Sequence, residues 1–208
     1  ASDVYKRQDI STGQVYDNLG INDDGTVGDP DKVALSYNQG TFMASALELY
    51  NATGVEDYLR NAVSFASYQV NHKMDSNYPV FSGEGGSGDN LLFRGIFVRY
   101  FLDLLKQPTG EAYPEKTKNK FIAALRSCSD VLWVNGHPEG WYVWEYDWTK
   151  APEFGNRNDN ENRLTISLNA EVPGATLIEI RARYEDWVQG KETEKANWIG
   201  PDFATGAE

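Results

Sequence analysis

The stretch Ser36-Tyr37-Asn38-Gln39-Gly40-Thr41-Phe42 stands where a polar loop gives way to a long apolar helical pattern. It places an aromatic residue, two amides and a glycine within one turn, which is an unusual start for a helix. A second stretch, Gly88-Asp89-Asn90-Leu91-Leu92-Phe93-Arg94-Gly95, stands at the same kind of junction further along the chain. Gly40 and Gly95 are 55 positions apart. The two stretches therefore predict a structural repeat.

The helical patterns around these two stretches repeat in the same order. Each unit has a long glycine-containing loop, a helix that is apolar on most sides, a short turn and an amphipathic helix. A repeated helical hairpin predicts either a solenoid or a closed toroid. The alternation favours an all-α toroid, in which enclosed inner helices alternate with outer helices that face water.

Five helices are predicted from the apolar periodicity. They cover residues 35–52, 56–72, 90–106, 114–134 and 164–188. Gly54 is expected to end the first helix, and Pro114 to lie in the first turn of the fourth. Pro173-Gly174 must bend or break the fifth helix, because proline removes a backbone donor and clashes with the preceding turn.

Composition limits the class of protein. A chain of 208 residues suffices for one domain or for a piece of a larger one. A net charge of -12 does not favour nucleic acid or an anionic membrane as a partner. The sequence has no apolar run of the roughly 18 residues that a membrane span needs.

Cysteine and histidine point to no metal or redox chemistry. The single cysteine, Cys128, cannot form an intrachain disulfide, and its place on an apolar helical stripe predicts a buried structural thiol. His72 and His137 are isolated, and no His/Cys cluster has the spacing of metal ligands. We expect no metal and no cofactor.

Polar side chains lie at the start of both inner helices. Asn38 and Gln39 lie at the start of the first and Asp89 and Asn90 at the start of the next, so the repeat places all four at one end of the toroid. They either cap their helices, as Asn and Asp commonly do, or direct hydrogen bonds to ligand hydroxyls.

An adjacent pair of carboxylates, Asp23-Asp24, precedes Gly25 in a flexible segment. Asp and Asn bond their own backbone in turns, so the pair is interpreted as turn chemistry. The alternative, a catalytic pair, is disfavoured because such a segment cannot hold two carboxylates rigidly.

Residues 135–163 form an irregular segment that is rich in aromatic side chains. Alternation from Tyr142 to Trp148 permits a strand or an extended loop. Two interpretations remain open, an aromatic cover over the end of the core and a wall of a sugar-binding cleft. The second makes Trp144 a candidate sugar contact, because aromatic faces suit the apolar faces of pyranose rings.

Several motifs occur in a fixed order over about residues 9–135. They are Thr12-Gly13-Gln14-Val15-Tyr16-Asp17, Tyr37-Asn38-Gln39-Gly40-Thr41-Phe42, Leu49-Tyr50-Asn51-Ala52-Thr53-Gly54, Tyr58-Leu59, Gly88-Asp89-Asn90 and Phe93-Arg94-Gly95-Ile96-Phe97-Val98-Arg99-Tyr100. Together they resemble glycoside hydrolase family 76, the endo-α-1,6-mannanases of bacteria and fungi. The resemblance implies an (α/α)6 barrel with a groove at the loop end, and retaining hydrolysis by two carboxylates without a metal.

The chain departs from the family in one respect. The family's catalytic Asp-Asp pair lies beside tryptophans, upstream of the segment matched here by Asp17, and no equivalent pair appears in these residues. The chain therefore resembles the C-terminal part of such an enzyme, with about five to six helices of an incomplete barrel. No catalytic residue is assigned. The predicted substrate-side or supporting residues are Asp17, Tyr37, Asn38, Gln39, Asp89, Asn90, Arg94 and Trp144.

We expect a partial barrel domain over residues 9–190, a non-native or disordered start over 1–8, and a tail over 191–208. The implied ligand is α-mannan or a manno-oligosaccharide, and the implied location of the full-length protein is secreted, periplasmic or cell-surface. Three alternatives stay open: a non-catalytic carbohydrate-binding helical module, a helical-repeat interaction module and another toroid enzyme such as a sugar epimerase. The last is weakened by the presence of only two histidines.

Overall fold

A computed structural model describes residues 8–85, 87–152 and 166–191. Within them lie five α-helices: α1 Ser36–Thr53, α2 Glu56–His72, α3 Phe93–Lys106, α4 Glu115–Asn135 and α5 Leu168–Val188. A 3-10 turn, Gly88–Leu92, leads into α3. The predictions for residues 1–7, 153–165 and 192–208 lie outside the described residues, as does the predicted beginning of the fifth helix.

Helices α1 and α2 form the first hairpin. Gly54 ends α1 in the left-handed conformation at φ 71, and its N–H donates to the carbonyl of Tyr50 at 2.7 Å. Glycine adopts this conformation without the strain that a Cβ atom causes, and the prediction that Gly54 ends the first helix is confirmed. The predicted ends of both helices are confirmed within about one residue, the precision expected of helix boundaries.

The inner layer consists of α1, α3 and α5, which contact one another in that order. Gly40 allows α1 to approach α3, because a Cβ atom there would lie 2.7 Å from the Cα of Phe97. Gly95 does the same between α3 and α5, with a Cβ atom placed 2.9 Å from the Cα of Pro173. Helices α2 and α4 pack outside this layer. The hairpins therefore form an arc of the predicted helical toroid.

Helix α5 runs unbroken through Pro173, so the alternative that this proline breaks the helix is wrong. Pro173 and Gly174 are both buried, the first against Gly95 of α3 and the second against Trp144. Close packing on two sides stabilises the helical backbone, and such tertiary contacts routinely override local propensity.

Two short antiparallel ladders precede α1. Strands β1 Gln8–Asp9 and β2 Gln14–Val15 pair with each other, and so do β3 Leu19–Ile21 and β4 Val27–Pro30. In the second turn, the Gly25 N–H donates to the Asn22 carbonyl at 2.8 Å and the Thr26 N–H donates to Asp24 at 2.9 Å. The interpretation of the Asp pair as turn chemistry is confirmed for Asp24.

A contiguous chain of rings fills the core between the inner and outer helices. Phe81 contacts Phe97 at 5.3 Å, Phe97 contacts Phe101 at 5.0 Å, and Phe101 contacts Phe121 at 5.4 Å between ring centroids. Cys128 is fully buried in this core, and burial raises the pKa of its thiol to about 12. The predicted structural thiol is confirmed. No helix in the described ranges is long and apolar enough to cross a membrane.

Candidate functional site

The inner helices begin at one end of the toroid, called the mouth here. It comprises the first turns of α1, α3 and α5 with the described loop residues 73–85, 87–92 and 136–152. The Tyr37 ring of α1 contacts the Phe93 ring of α3 at 4.5 Å between centroids. The Asn169 amide of α5 donates to the Gly88 carbonyl at 3.4 Å. The mouth therefore gathers most of the predicted site residues.

A hydrogen-bonded group lies at the first turn of α1. The Asp17 Oδ1 atom accepts from the Tyr37 hydroxyl at 2.6 Å and from the Asn38 amide at 2.9 Å. Asp17 and Tyr37 are half-buried, while Asn38 is buried. The structure thus brings together three predicted site residues, two of which keep surface that a ligand can reach.

Gln39 points away from the mouth and into the protein. Its side chain is 0% exposed. Its amide nitrogen donates to the carbonyls of Gly13 at 2.8 Å and Phe65 at 3.0 Å, and its oxygen accepts from the Val15 N–H at 2.6 Å. These bonds tie α1 to the N-terminal ladder and to α2. Gln39 is placed to support the site, and neither it nor Asn38 caps α1.

Asp89 and Asn90 lie in the 3-10 turn before α3, and both are exposed. Asn90 also packs beside Gly85. A Cβ atom added to Gly85 would lie 2.7 Å from the side-chain amide nitrogen of Asn90. Both side chains face water at the mouth, and their substrate-binding role stays a prediction.

Arg94 is 3% exposed in the first turn of α3. It donates from Nη1 to the Phe81 carbonyl at 3.0 Å and from Nη2 to the Tyr146 carbonyl. Its guanidinium also lies 3.9 Å from the centroid of the Trp148 ring. Burial lowers its pKa to about 10. Arg94 therefore contacts two loops of the mouth from the protein interior.

The aromatic segment divides into buried and exposed rings. Trp144 is 6% exposed and Trp148 is 1% exposed, and both belong to the core. The backbone N–H of Trp144 donates to the Glu171 carboxylate of α5 at 2.6 Å. Tyr142 is 65% exposed and its ring stacks on Trp133 at 5.5 Å. This geometry favours the aromatic cover over the cleft wall at Trp144, whose contact with sugar stays a prediction.

Of the two backbone forms predicted for this segment, the structure adopts the extended loop. No strand occurs over residues 141–145 or elsewhere in the described part of the loop. Within the described ranges, no group of three or more His, Cys, Asp or Glu side chains is arranged to hold a metal ion.

Comparison with known proteins assigns this mouth to a family. The chain matches the sequence profile of glycosyl hydrolase family 76 over residues 4–174. The chain belongs to this family. The resemblance seen in the ordered motifs is confirmed, and so is the helical toroid fold, because the family 76 structures share it.

Several solved structures are similar to this family 76 chain. The GH76A α-1,6-mannanase from Salegentibacter sp. HEL1_6 matches with a TM-score of 0.72 at 27% identity, covering 88% of this chain and 49% of that chain. The Lin0763 protein from Listeria innocua matches with a TM-score of 0.67 at 28% identity, covering 88% of this chain and 46% of that chain. This chain therefore spans about half the length of these proteins. No match was found among curated proteins.

A further similar structure contains a ligand. An inactive variant of the Salegentibacter enzyme, with two consecutive aspartates replaced by asparagine, was solved in complex with α-1,6-mannotriose. It matches with a TM-score of 0.71 at 27% identity, covering 88% of this chain and 49% of that chain.

Sequence reasoning missed two residues that build the mouth of this family 76 chain. Glu84 accepts from the Ser36 N–H at 2.7 Å and from the Ser36 hydroxyl, so its carboxylate caps α1. Burial raises the pKa of Glu84, although the bonds from Ser36 lower it in part. The Tyr146 hydroxyl accepts from the Gly85 N–H at 3.2 Å. A lone carboxylate in the glycine-rich run at 83–86 was the available signal for Glu84.

Proposed function

We propose that this chain is part of a glycoside hydrolase that cleaves α-1,6-linked mannan as a retaining endo-α-1,6-mannanase. The observation that carries the proposal is the Asp17 carboxylate, held by Tyr37 and Asn38 at the mouth of a family 76 toroid. Such a group presents a carboxylate and a hydroxyl to ligand hydroxyls. The similar α-1,6-mannanase, bound to α-1,6-mannotriose in its inactive variant, supports this substrate class.

In this proposal the residues of this chain bind the substrate and shape its groove. The groups that break the glycosidic bond lie elsewhere in the full-length protein. Retaining hydrolysis needs a nucleophile and an acid/base whose carboxyl groups are about 5–5.5 Å apart. The Asp17 carboxylate is already engaged by two donors, a geometry that suits positioning better than attack on an anomeric carbon. We therefore assign no catalytic role to Asp17, and we infer that the catalytic Asp pair precedes it in the full-length protein.

The remaining predicted residues divide by exposure. Asp89 and Asn90 are exposed at the mouth and are proposed to bond sugar hydroxyls directly. Gln39 is buried, and its side-chain oxygen accepts from the backbone N–H of Val15, two residues before Asp17. A polysaccharide substrate supports a secreted, periplasmic or cell-surface location for the full-length protein, because such polymers are met outside the cell.

Hydrolysis of α-1,6-mannan, measured as released reducing ends, tests the proposal. The full-length protein is expected to cleave the polymer, and the 208-residue chain alone is expected to show no turnover. Turnover by the chain alone would show that its own carboxylates suffice. Binding of manno-oligosaccharides without hydrolysis by the full-length protein would instead establish the second candidate, a carbohydrate-binding helical module. The polar, partly exposed mouth favours that candidate over a module with no sugar role.

A further inference from the structure

Arg94 is a buried cation that forms no salt bridge with a carboxylate among the described residues, although the nearby charges of Glu84 and Asp147 offset part of the lowering of its pKa by burial. A guanidinium removed from water costs free energy unless hydrogen bonds and nearby electron density compensate it. Here two backbone carbonyls and two aromatic rings contact the guanidinium directly. The rings belong to Tyr146 and Trp148, with centroids 5.1 Å and 3.9 Å from the Arg94 Cζ atom.

The partners of Arg94 come from two separate loops of the mouth. Phe81 lies in the loop that joins α2 to α3, and its carbonyl accepts from Nη1 at 3.0 Å. Tyr146 lies in the loop after α4, and its carbonyl accepts from Nη2. Because a planar guanidinium presents its donors in a fixed fork, one side chain can set the distance between the two loops.

The same two loops meet again at the rim. The Gly85 N–H donates to the Tyr146 hydroxyl at 3.2 Å, and a Cβ atom on Gly83 would lie 2.0 Å from that hydroxyl oxygen. Glu84, between these glycines, accepts from the Ser36 N–H at 2.7 Å. A continuous set of contacts therefore runs from the start of α1 through both loops to Arg94 in α3.

We propose that Arg94 is a positioning residue, which fixes the loops at 73–85 and 136–152 in one arrangement before a mannan chain arrives. This inference rests on the proposed function and assigns Arg94 the second of its two predicted roles, a supporting residue rather than a substrate-side one. With 3% of its surface exposed and two donors already bonded to backbone carbonyls, Arg94 presents little surface to a sugar hydroxyl. Holding a site in its bound shape improves affinity by lowering the entropy lost on binding.

The test compares variants of Arg94 with Arg99→Met in the full-length protein. Arg99 is an exposed arginine on the same helix, so the control removes the same charge without touching the loops. Two quantities are measured: amide hydrogen exchange in peptides covering the two loops, and KM and kcat for α-1,6-mannan. Exchange reports the loop arrangement without any requirement for turnover.

Arg94→Met is expected to speed exchange in both loops while α2 keeps its protection. KM is expected to rise about tenfold, equivalent to about 1.4 kcal/mol, with kcat changed far less. Arg94→Lys keeps the positive charge but lacks the planar guanidinium. Its two loops are therefore expected to exchange more slowly than in Arg94→Met and faster than in the unaltered protein. Arg99→Met is expected to match the unaltered protein in both measurements.

Unchanged loop exchange in Arg94→Met would overturn the positioning role, and so would faster exchange with unchanged KM. If Arg94→Met does not fold, Tyr146→Phe removes only the hydroxyl that accepts from Gly85. That variant is expected to speed exchange at the Gly85 amide and to raise KM, and no change in either would contradict the proposal. Absence of turnover by the unaltered protein would refute the proposed function, whereas the exchange data would still decide whether Arg94 holds the loops.

Discussion

The carboxylate of Asp17 lies 2.6 Å from the hydroxyl of Tyr37, at the point where α1 begins. Asp17 belongs to the loop-rich N-terminal segment, and Tyr37 belongs to the first turn of an inner helix. Their hydrogen bond, with the second bond from Asn38, fixes that segment onto the mouth. The proposed mannan groove therefore depends on a contact between parts of the chain that are 20 residues apart.

Replacement of Asp17 by asparagine tests this contact. A neutral amide oxygen accepts weaker hydrogen bonds than a carboxylate, so the bonds from Tyr37 and Asn38 weaken. We expect kcat/KM on α-1,6-mannan to fall about tenfold in the full-length protein, with a loss of about 1 kcal/mol in the free energy of unfolding. Asp23→Asn, at an exposed turn position, is the matched control. Equal activity of the two variants would remove Asp17 from the site.

The inner-layer contacts predict strong effects of small substitutions at two glycines. Gly40→Ala places a methyl group 2.7 Å from the Phe97 backbone, and Gly95→Ala places one 2.9 Å from the Pro173 backbone. Backbone atoms cannot move aside without shifting a helix, so each variant is expected to lose roughly 1–3 kcal/mol of stability. Urea unfolding measures the loss. Gly110→Ala meets no atom within 4 Å and is expected to be nearly neutral. Neutral behaviour of Gly40→Ala would contradict the close approach of α1 to α3 at Phe97.

Glu84 predicts a pH dependence of stability. Its folded-state pKa is raised above the ordinary value of 4.5, chiefly by burial, so the folded state binds its proton more tightly than the unfolded state does. The tighter proton binding adds to the free energy of unfolding below the ordinary pKa. This contribution is lost as the pH rises through the raised pKa. The unfolding free energy relative to Glu84→Gln is therefore expected to fall as the pH rises across that window.

Urea unfolding at a series of pH values measures this difference. If the unfolding free energy of the unaltered protein instead rises relative to that of Glu84→Gln as the pH rises, the inferred role of burial is contradicted.

Substitution of Trp144 tests whether this side chain packs in the core or contacts the ligand. Its indole is buried beside Gly174, and truncation of a buried aromatic to alanine costs about 3–5 kcal/mol. We expect Trp144→Ala to lower the unfolding free energy by that amount, and Tyr142→Ala, at an exposed ring, to lower it far less. Denaturant midpoints are compared with affinities for α-1,6-mannotetraose. A Trp144 variant with native stability and weakened binding would restore Trp144 as a direct sugar contact.

The helices could be predicted from the sequence because their signals are local. Apolar periodicity and Gly54 located α1 and α2 within about one residue, which is the usual uncertainty of helix ends. Helix α3 was expected from residue 90 but begins at Phe93, because Gly88–Leu92 adopts the tighter 3-10 form. The two short ladders before α1 were not predicted, since strands of two to four residues carry almost no pattern.

The mouth was only partly predictable, because its contacts are not local. Glu84 meets Ser36 across 48 positions, and Arg94 meets Tyr146 across 52. Gln39 was grouped with Asn38 by sequence alone, yet the two side chains of adjacent helical residues point in different directions. Resemblance identified the correct motifs, while the direction of each side chain required the structure.

The most direct test of the proposed function follows α-1,6-mannotetraose and α-1,3-mannotetraose by proton NMR in the presence of the full-length protein. We expect hydrolysis of the α-1,6-linked substrate alone, with the first product carrying the α-anomer, as retention requires. Failure to cleave the α-1,6-linked substrate, or initial release of the β-anomer, would refute the proposed function.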